Sequence, residues 1–312
     1  MFLGIEIGGT KLQLGASSDG RELAELVRRD VDPARQADGI REQIVAVGRE
    51  LIEKHEIERI GIGFGGPVDH DAGRVRTSHQ VEGWTDFPFV QWCSEELGRP
   101  VVLGNDCDVA ALAESRFGAG SGKPCTFYIT VGTGIGGGLV YDGRSFGENR
   151  PAIAEIGHLR PGLEATHPKH TVEQLAAGPG IARRFQMRLD VMTDQERQRY
   201  DGEDLTGKRI AELAQAGDEV AGEVIDETCR VLGWAVAQVV TLVAPQVVVI
   251  GGGVSLIGEP LFFEPVRQYA DGYVFPPLAG SFDIVPAQLG EEVVVHGACA
   301  LAASATVGRN EP

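Results

Sequence analysis

Three clusters of glycine stand directly after apolar runs that are typical of buried strands. Glycine lets the backbone approach a ligand closely, and backbone N–H groups and threonine hydroxyls in such turns can point at phosphate oxygens. Any one cluster is equally well explained as a tight turn, but three of them favour a phosphate-binding function. The candidate residues are Gly8, Gly9, Thr10, Lys11, Thr133, Gly134, Gly136, Gly251, Gly252 and Gly253.

An Asn-Asp pair follows the apolar run VVLG and precedes a predicted helix over 109–117. Ligands gather beyond the carboxyl ends of strands in α/β sheets, so Asp106 is placed to act as a general base. Alternatively, Asn105, Asp106 or Asp108 only caps the helix, and the residues alone favour this simpler interpretation.

Strands and helices alternate around these residues, which indicates an α/β fold with mixed sheets. The order strand, glycine turn, strand, Asp-Gly turn occurs in 2–20 and again in 125–143, which predicts two similar domains facing a shared cleft. The segment GACALAASA is predicted to be a helix that packs on the first domain. Other predicted helices cover 38–56 (capped by Asp38), 89–97, 172–187, 207–215 and 217–243.

The composition narrows the possible functions. With 312 residues, the chain is long for one hydrophobic core, so two domains are expected. A formal net charge of −17 argues against nucleic-acid binding. Five scattered cysteines in apolar runs predict buried thiols in a reducing compartment. No signal peptide and no membrane span are recognised, so a cytoplasmic protein without a membrane partner is expected.

The motifs EIGGTK, GNDCDVAALAE, TVGTGIGGG, AEIGH and VVVIGGGVS resemble, in this order, those of ROK-type sugar kinases. GIGFGGPVDHDAGRV and EGW are also similar to that family, so the resemblance covers essentially the whole chain. It implies a two-domain, actin-like (ribonuclease H-like) ATPase fold with an interdomain cleft. It also implies ATP and Mg²⁺, phosphorylation of a hexose, with glucose as the first candidate, and a homodimer.

We expect a smaller N-terminal domain over 1–117 and 293–312, with the catalytic aspartate and the first phosphate loop. The larger domain, 118–292, is expected to hold the second phosphate loop and an adenosine-binding segment. The resemblance makes Asp106 the general base, with Asp108 left as a possible cap. By the same resemblance, the hexose-binding residues are Gly66, Asn105, Asp106, Glu155, His158 and Glu173.

Three departures from the family pattern stand out. The segment after His158 lacks the family's zinc-binding cysteines, and although His167 and His170 follow, we expect no structural zinc. Glu6 replaces the usual aspartate, whose carboxylate would hold Mg²⁺ through water, and the extra methylene displaces its oxygens. Gln80 lies near the position of a sugar-contacting asparagine, which favours a different hexose pocket.

Three alternatives stay open at this point. The acceptor is glucose or another hexose, namely fructose, mannose, allose or an N-acetylated amino sugar. A non-catalytic sugar sensor related to ROK repressors is the second alternative, although the chain starts with a strand where such repressors carry a DNA-binding segment. A polyphosphate donor would require a more basic groove than this composition offers.

Overall fold

The computed structural model of the chain describes residues 1–78, 81–147, 150, 152–167 and 169–305. Within these residues the strands are β1 (Phe2–Ile7), β2 (Lys11–Ser17), β3 (Leu23–Asp30), β4 (Arg59–Phe64), β5 (Val68–Asp69), β6 (Arg74–Val75), β7 (Val101–Asn105), β8 (Cys125–Val131), β9 (Ile135–Tyr141), β10 (Arg144–Ser145), β11 (Val247–Gly251) and β12 (Asp283–Pro286). The α-helices are α1 (Gln36–Lys54), α2 (Phe89–Leu97), α3 (Asp106–Phe117), α4 (Val172–Ala176), α5 (Gly178–Leu189), α6 (Asp194–Arg197), α7 (Gly207–Gln215), α8 (Glu219–Val243), α9 (Glu264–Tyr273) and α10 (Val293–Ser304).

The chain divides into two compact units. The first contains residues 1–124, 138–154 and the chain from Gln288 onward, and the second contains residues 125–137 and 155–287. The predicted functional domains, 1–117 plus 293–312 and 118–292, stay predictions.

The first unit is built on a mixed sheet of the order β3-β2-β1-β4-β7. The pairs β1/β2 and β2/β3 are antiparallel, whereas β1/β4 and β4/β7 are parallel. Leu3, Ile5, Leu14 and Ile62 are fully buried on these strands and belong to one hydrophobic core. The predicted α/β fold with mixed sheets is therefore confirmed.

Small residues let α10 pack closely on this sheet. A Cβ added at Gly61 would overlap the carbonyl oxygen of Ala298, and one at Gly4 would lie 2.8 Å from the Cys299 sulfur. Helix α10 also packs against β1 and α3. The predicted return of the last helix to the N-terminal part of the chain is confirmed.

The second sheet has the order β10-β9-β8-β11-β12. Strand β11 is parallel to both β8 and β12. Its buried run Val247–Gly251 is typical of a strand covered on both faces. The predicted repeat of strand, glycine turn and strand is confirmed as β1–β2 and β8–β9.

Two details of the predicted helices are wrong. The single helix predicted over 172–187 is divided into α4 and α5 at Ala177, because Pro179 has no N–H to donate to the carbonyl four residues earlier and its ring would clash with that carbonyl in a continuous helix. Asp38 does not cap α1, which begins at Gln36, and Asp38 lies in its first turn and pairs with Arg41.

The five cysteines are buried free thiols, as predicted from their apolar surroundings. Burial raises the pKa of Cys93 and of Cys299 to about 12, so neither thiol forms a thiolate at neutral pH. Among the described residues, no helix has both the length and the apolar character that crossing a membrane requires.

Candidate active site

The first glycine cluster forms the turn between β1 and β2. The N–H of Gly8 donates to the carbonyl of Lys11 across 3.0 Å, and the N–H of Val31 donates to the carbonyl of Thr10 across 3.0 Å. Thr10 is exposed at the tip of this turn. Its hydroxyl is therefore accessible to a ligand.

Glu6 lies at the base of the same turn and is 8% exposed. Its Oε2 accepts a hydrogen bond of 2.6 Å from Nε2 of Gln13, and its Oε1 lies 3.6 Å from Nζ of Lys11. Burial raises the pKa of Glu6, the nearby charge of Asp106 adds to the rise, and Lys11 and Gln13 oppose it. The Lys11 ammonium is thus already paired with a carboxylate.

Asn105 ends β7 and is the N-cap of α3. Its Oδ1 accepts from the N–H groups of Cys107 (2.9 Å) and Asp108 (3.3 Å). Its Nδ2 donates to the carbonyl of Gly66 across 3.0 Å. The alternative cap, Asp108, is wrong because Asn105 already accepts from the N–H groups at the helix start, and α3 begins at Asp106 rather than at the predicted residue 109.

Asp106 is the first residue of α3 and is half-buried. Its Oδ1 accepts a hydrogen bond of 2.9 Å from the N–H of Cys107, and its Oδ2 lies close to Gly65, where an added Cβ would be 3.5 Å away. The N–H of Gly65 in turn donates to the carbonyl of Ile7 across 3.0 Å. The start of α3 therefore lies beside the ends of β1 and β4.

In the first unit, the fold therefore brings together four predicted site residues: Glu6, Gly66, Asn105 and Asp106. The negative charge of Asp106 acts on Glu6, so two carboxylates lie within electrostatic range of each other. Oxygen donors of this kind are the ligands that Mg²⁺ prefers, usually through one or two carboxylates and several waters. The carboxylates of Glu6 and Asp106 are therefore suitable ligands for Mg²⁺.

The second glycine cluster connects β8 and β9, with Thr133 exposed. The N–H of Gly132 donates to the carbonyl of Gly134 across 2.9 Å. Oε2 of Glu173 accepts a hydrogen bond of 2.9 Å from the N–H of Ile135, and a Cβ added at Gly134 would lie 2.7 Å from that oxygen. Glu173 therefore stabilises this loop directly.

Glu155 and His158 flank a short turn that packs against the same strand start. Their Oε2 and Nε2 atoms are 3.9 Å apart, and the His158 side chain is 69% exposed. A Cβ added at Gly157 would overlap the carbonyl of Ile135, whose N–H is bound to Glu173. Ile135 thus connects the two segments that carry the predicted hexose-binding residues of the second unit.

The predicted zinc region contains the imidazoles of His167 and His170, with ring centroids 5.3 Å apart. Over the described ranges, no group of three or more His, Cys, Asp or Glu side chains is arranged to hold a metal ion. Gln80 lies outside the described residues.

The third glycine cluster follows β11. Gly252 has a φ of +86°, and an added Cβ would lie 2.5 Å from the Val131 carbonyl oxygen. Oγ of Ser255 donates to the carbonyl of Gly252 across 2.7 Å. Glycine is required here both for the backbone conformation and for close packing on the end of β8.

Gln13 is the residue that the sequence analysis missed. It is fully buried and lies directly opposite Glu6 in the β1/β2 register. The run LQLGA contains a signal for it, because a polar glutamine between two leucines is unusual in a buried strand. Alternation along a strand places this polar residue on the same face as Lys11.

Comparisons with known proteins find relatives along nearly the whole length of this chain. The model of the ROK family matches residues 2–305. A glucokinase from Halalkalibacterium halodurans is 32% identical over 95% of this chain and 93% of its own length. A ROK family glucokinase from Streptomyces griseus, solved with glucose and AMPPNP, has a TM-score of 0.82 at 30% identity, with 97% of this chain and 99% of that chain covered. A ROK hexokinase from Thermus thermophilus has a TM-score of 0.78 at 30% identity, with 98% of both chains covered. The expected actin-like ATPase fold is confirmed.

Proposed function

The chain belongs to the ROK family and is an ATP-dependent sugar kinase, and we propose that its hexose substrate is glucose. The product is then glucose 6-phosphate, and Asp106 is the proposed general base. The similarity to glucokinases extends along the whole chain, which supports a hexose as the acceptor. Fructose, mannose, allose and N-acetylated amino sugars are the alternative acceptors.

The single observation that carries the assignment of Asp106 is its place at the start of α3. The helix N-terminus carries a partial positive charge that attracts a carboxylate, and the N–H of Cys107 donates to Oδ1 and orients it. An ionised carboxylate beside the carboxyl end of a strand can accept the proton of a hexose hydroxyl. Such a base typically contributes a factor of about 10²–10⁴ to the rate.

The first glycine turn is proposed to bind phosphate through the backbone of Gly8 and Gly9 and the exposed hydroxyl of Thr10. Glu6 is the proposed holder of Mg²⁺ through water. When bound, this ion neutralises charge on the transferring phosphoryl group. Glu6 and Asp106 supply the carboxylates that make the local charge suitable for a divalent cation.

In the second unit, the loop with Thr133, Gly134 and Gly136 is proposed to bind phosphate, and Gly251, Gly252 and Gly253 to bind the nucleotide. Support comes from their positions at strand ends.

The proposed hexose-binding residues are divided between the two units. Asn105 and Gly66 already share a hydrogen bond, which fixes the orientation of the amide. Glu155 and His158 are accessible. The Glu155 carboxylate can accept hydrogen bonds from hydroxyl groups, and the His158 imidazole can accept or donate them. Oε2 of Glu173 accepts the hydrogen bond from the N–H of Ile135, and Oε1 is the oxygen proposed to bind the hexose.

A coupled ADP-release assay with ATP, Mg²⁺ and a panel of hexoses tests the proposal. We expect hexose-dependent turnover that falls at least about a hundredfold in Asp106→Asn, with little change in hexose binding. Asp108→Asn is the matched control, because it removes a carboxylate from the same helical turn and should retain turnover within a few fold. Equal turnover of Asp106→Asn and the parent would remove Asp106 from its role. Hexose binding without turnover in the parent would indicate a sensor.

A cytoplasmic location and a homodimer complete the proposal. The five buried free thiols support a reducing compartment, where ATP and hexoses are also available. Fractionation of cells and the mass of the purified protein in solution test these two points.

A further inference from the structure

We propose that Gln13 is a positioning residue that holds the Glu6 carboxylate in place for Mg²⁺. The inference rests on the proposed role of Glu6 and adds a residue outside every motif identified in the sequence. It starts from the direct pairing of Glu6 and Gln13 across β1 and β2.

The contact between the two side chains is short and shielded. Nε2 of Gln13 donates to Oε2 of Glu6 across 2.6 Å, and the two residues are 0% and 8% exposed. A hydrogen bond to a charged acceptor is about twice as strong as a neutral one. Lys11, at 3.6 Å from Oε1, is the longer and more exposed partner.

The Gln13 amide is itself fixed at both ends. Its Oε1 accepts a hydrogen bond of 2.8 Å from Nε of Arg28, and its Nε2 also donates to the Glu291 carbonyl across 3.1 Å. Arg28 has only donors, so the amide oxygen must face it and the amide nitrogen must face Glu6. Arg28 is in turn paired with Glu292. The chain of contacts Glu6–Gln13–Arg28–Glu292 therefore allows one orientation of the amide.

This arrangement has a specific consequence for Glu6. A glutamate has one more rotatable bond than an aspartate, so its oxygens can take more positions at the same backbone site. Fixing Oε2 removes that freedom, so a metal-bound water would bind Oε1, whose other partner is the more exposed Lys11 at 3.6 Å. Removing the partner of a direct metal ligand typically changes metal affinity by about 10–100-fold, and since Glu6 acts through water we expect the lower end of that range.

The test compares Gln13→Met with the parent protein. Methionine has a similar length but lacks the amide, so Glu6 keeps its place in the fold and loses its donor. We expect the Mg²⁺ concentration for half-maximal activity to rise about tenfold, with the hexose KM unchanged. Binding of Mn²⁺ with a non-hydrolysable ATP analogue, followed by electron paramagnetic resonance, should weaken about as much.

Ser17→Ala is the matched control. Ser17 is a fully buried polar residue on the same strand, and its hydroxyl donates to the Glu22 carbonyl across 2.6 Å. Its loss should lower stability without changing the Mg²⁺ requirement. If Gln13→Met does not fold, Gln13→Asn retains a buried amide that is too short to reach Glu6.

The double variant Glu6→Gln/Gln13→Met separates the two proposals. If Gln13 acts through Glu6, Gln13→Met has no further effect on Mn²⁺ binding once Glu6 is replaced. Should Glu6→Gln weaken Mn²⁺ binding while Gln13→Met and Gln13→Asn leave it unchanged, the positioning role is overturned. If Glu6→Gln itself leaves Mn²⁺ binding unchanged, the proposed role of Glu6 fails, and this inference with it.

Discussion

Asn105 donates from Nδ2 to the carbonyl of Gly66 across 3.0 Å while its Oδ1 caps α3. One side chain therefore connects the helix that begins with Asp106 to the loop that follows β4. The two interpretations of this residue from sequence, a helix cap and a hexose ligand, are compatible, because different atoms of the amide are involved. One N–H of Nδ2 remains for a ligand.

Asn105→Asp separates these two functions. Aspartate caps helices as well as asparagine does, so the cap of α3 is retained, but the Gly66 carbonyl loses its donor, and we expect a loss of about 1–3 kcal/mol in the free energy of unfolding. The new oxygen faces the Gly66 carbonyl, and the donor is lost, so the hexose KM should rise about tenfold, which corresponds to about 1.4 kcal/mol. Steady-state kinetics and urea denaturation measure the two effects.

The control is the opposite substitution, aspartate to asparagine, at the N-cap of another helix. Asp218 caps α8, accepting from the N–H of Ala221 across 2.9 Å, and Asp218→Asn should leave the hexose KM unchanged. If Asn105→Asp lowers stability strongly but leaves the hexose KM unchanged, Asn105 has only the structural role.

Glu173 is predicted to act on both the hexose and the second glycine loop. Glu173→Ala removes the acceptor for the Ile135 N–H, so we expect the KM values of ATP and of the hexose each to rise about tenfold. Glu173→Gln retains an oxygen for that N–H, so its effect should be confined to the hexose KM. The next residue provides the control, Gln174→Ala. An unchanged ATP KM in Glu173→Ala would show that the loop does not depend on this carboxylate.

The strands and helices that position the site were predictable where one clear sequence pattern marked them. Apolar runs and glycine turns predicted β1, β2, β8 and β9. The division between α4 and α5 depends on Pro179, which the apolar spacing of that segment conceals. The packing of α10 was predictable because small residues repeat along it, whereas its exact partners, such as Gly61, depend on the sheet register.

The candidate site was predictable only in part. The motif residues Asn105 and Asp106 carry a recognisable signal at a strand end. Gln13 does not, because its role depends on a register of strand pairs that brings Glu6, Gln13 and Arg28 side by side. Likewise, no local pattern indicates that Glu173 binds the N–H of Ile135, which lies 38 residues earlier in the chain.

Glu6→Gln should show how burial of this carboxylate affects stability. Burial raises the pKa of Glu6 above its ordinary value of 4.5, so the folded protein binds this proton more tightly than the unfolded chain. Stability contributed by the group is therefore present at low pH and is lost as the pH rises through the raised pKa. We expect a higher urea midpoint for Glu6→Gln than for the parent at pH 8, with lower activity.

The difference in urea midpoint between Glu6→Gln and the parent should decrease as the pH is lowered toward 4.5, because the parent carboxylate becomes protonated. Paired urea titrations at several pH values measure it. A difference that grows on acidification would have the wrong sign for a carboxylate with a raised pKa.

Glu114 is predicted to contribute substantially to the stability of the first unit. It is 0% exposed, and it accepts three backbone hydrogen bonds of 2.8 Å: Oε2 from Ala119, and Oε1 from Gln288 and Leu289. Glu114→Gln turns one acceptor oxygen into a donor that faces an N–H group. Since an unsatisfied buried polar group costs about 1–3 kcal/mol, we expect a loss of about 2–3 kcal/mol in the free energy of unfolding.

The same substitution should also change the Mg²⁺ requirement. Glu114 accepts a hydrogen bond from the N–H of Leu289, two residues before Glu291. The carbonyl of Glu291 in turn accepts hydrogen bonds from the side chains of Gln13 and Lys11. Release of this segment loosens the contacts that fix Glu6, so the half-saturating Mg²⁺ concentration should rise together with the loss of stability. Glu53→Gln on the exposed face of α1 is the control and should stay within about 0.5 kcal/mol of the parent. If Glu114→Gln is as stable as this control, the three backbone contacts do not stabilise the fold.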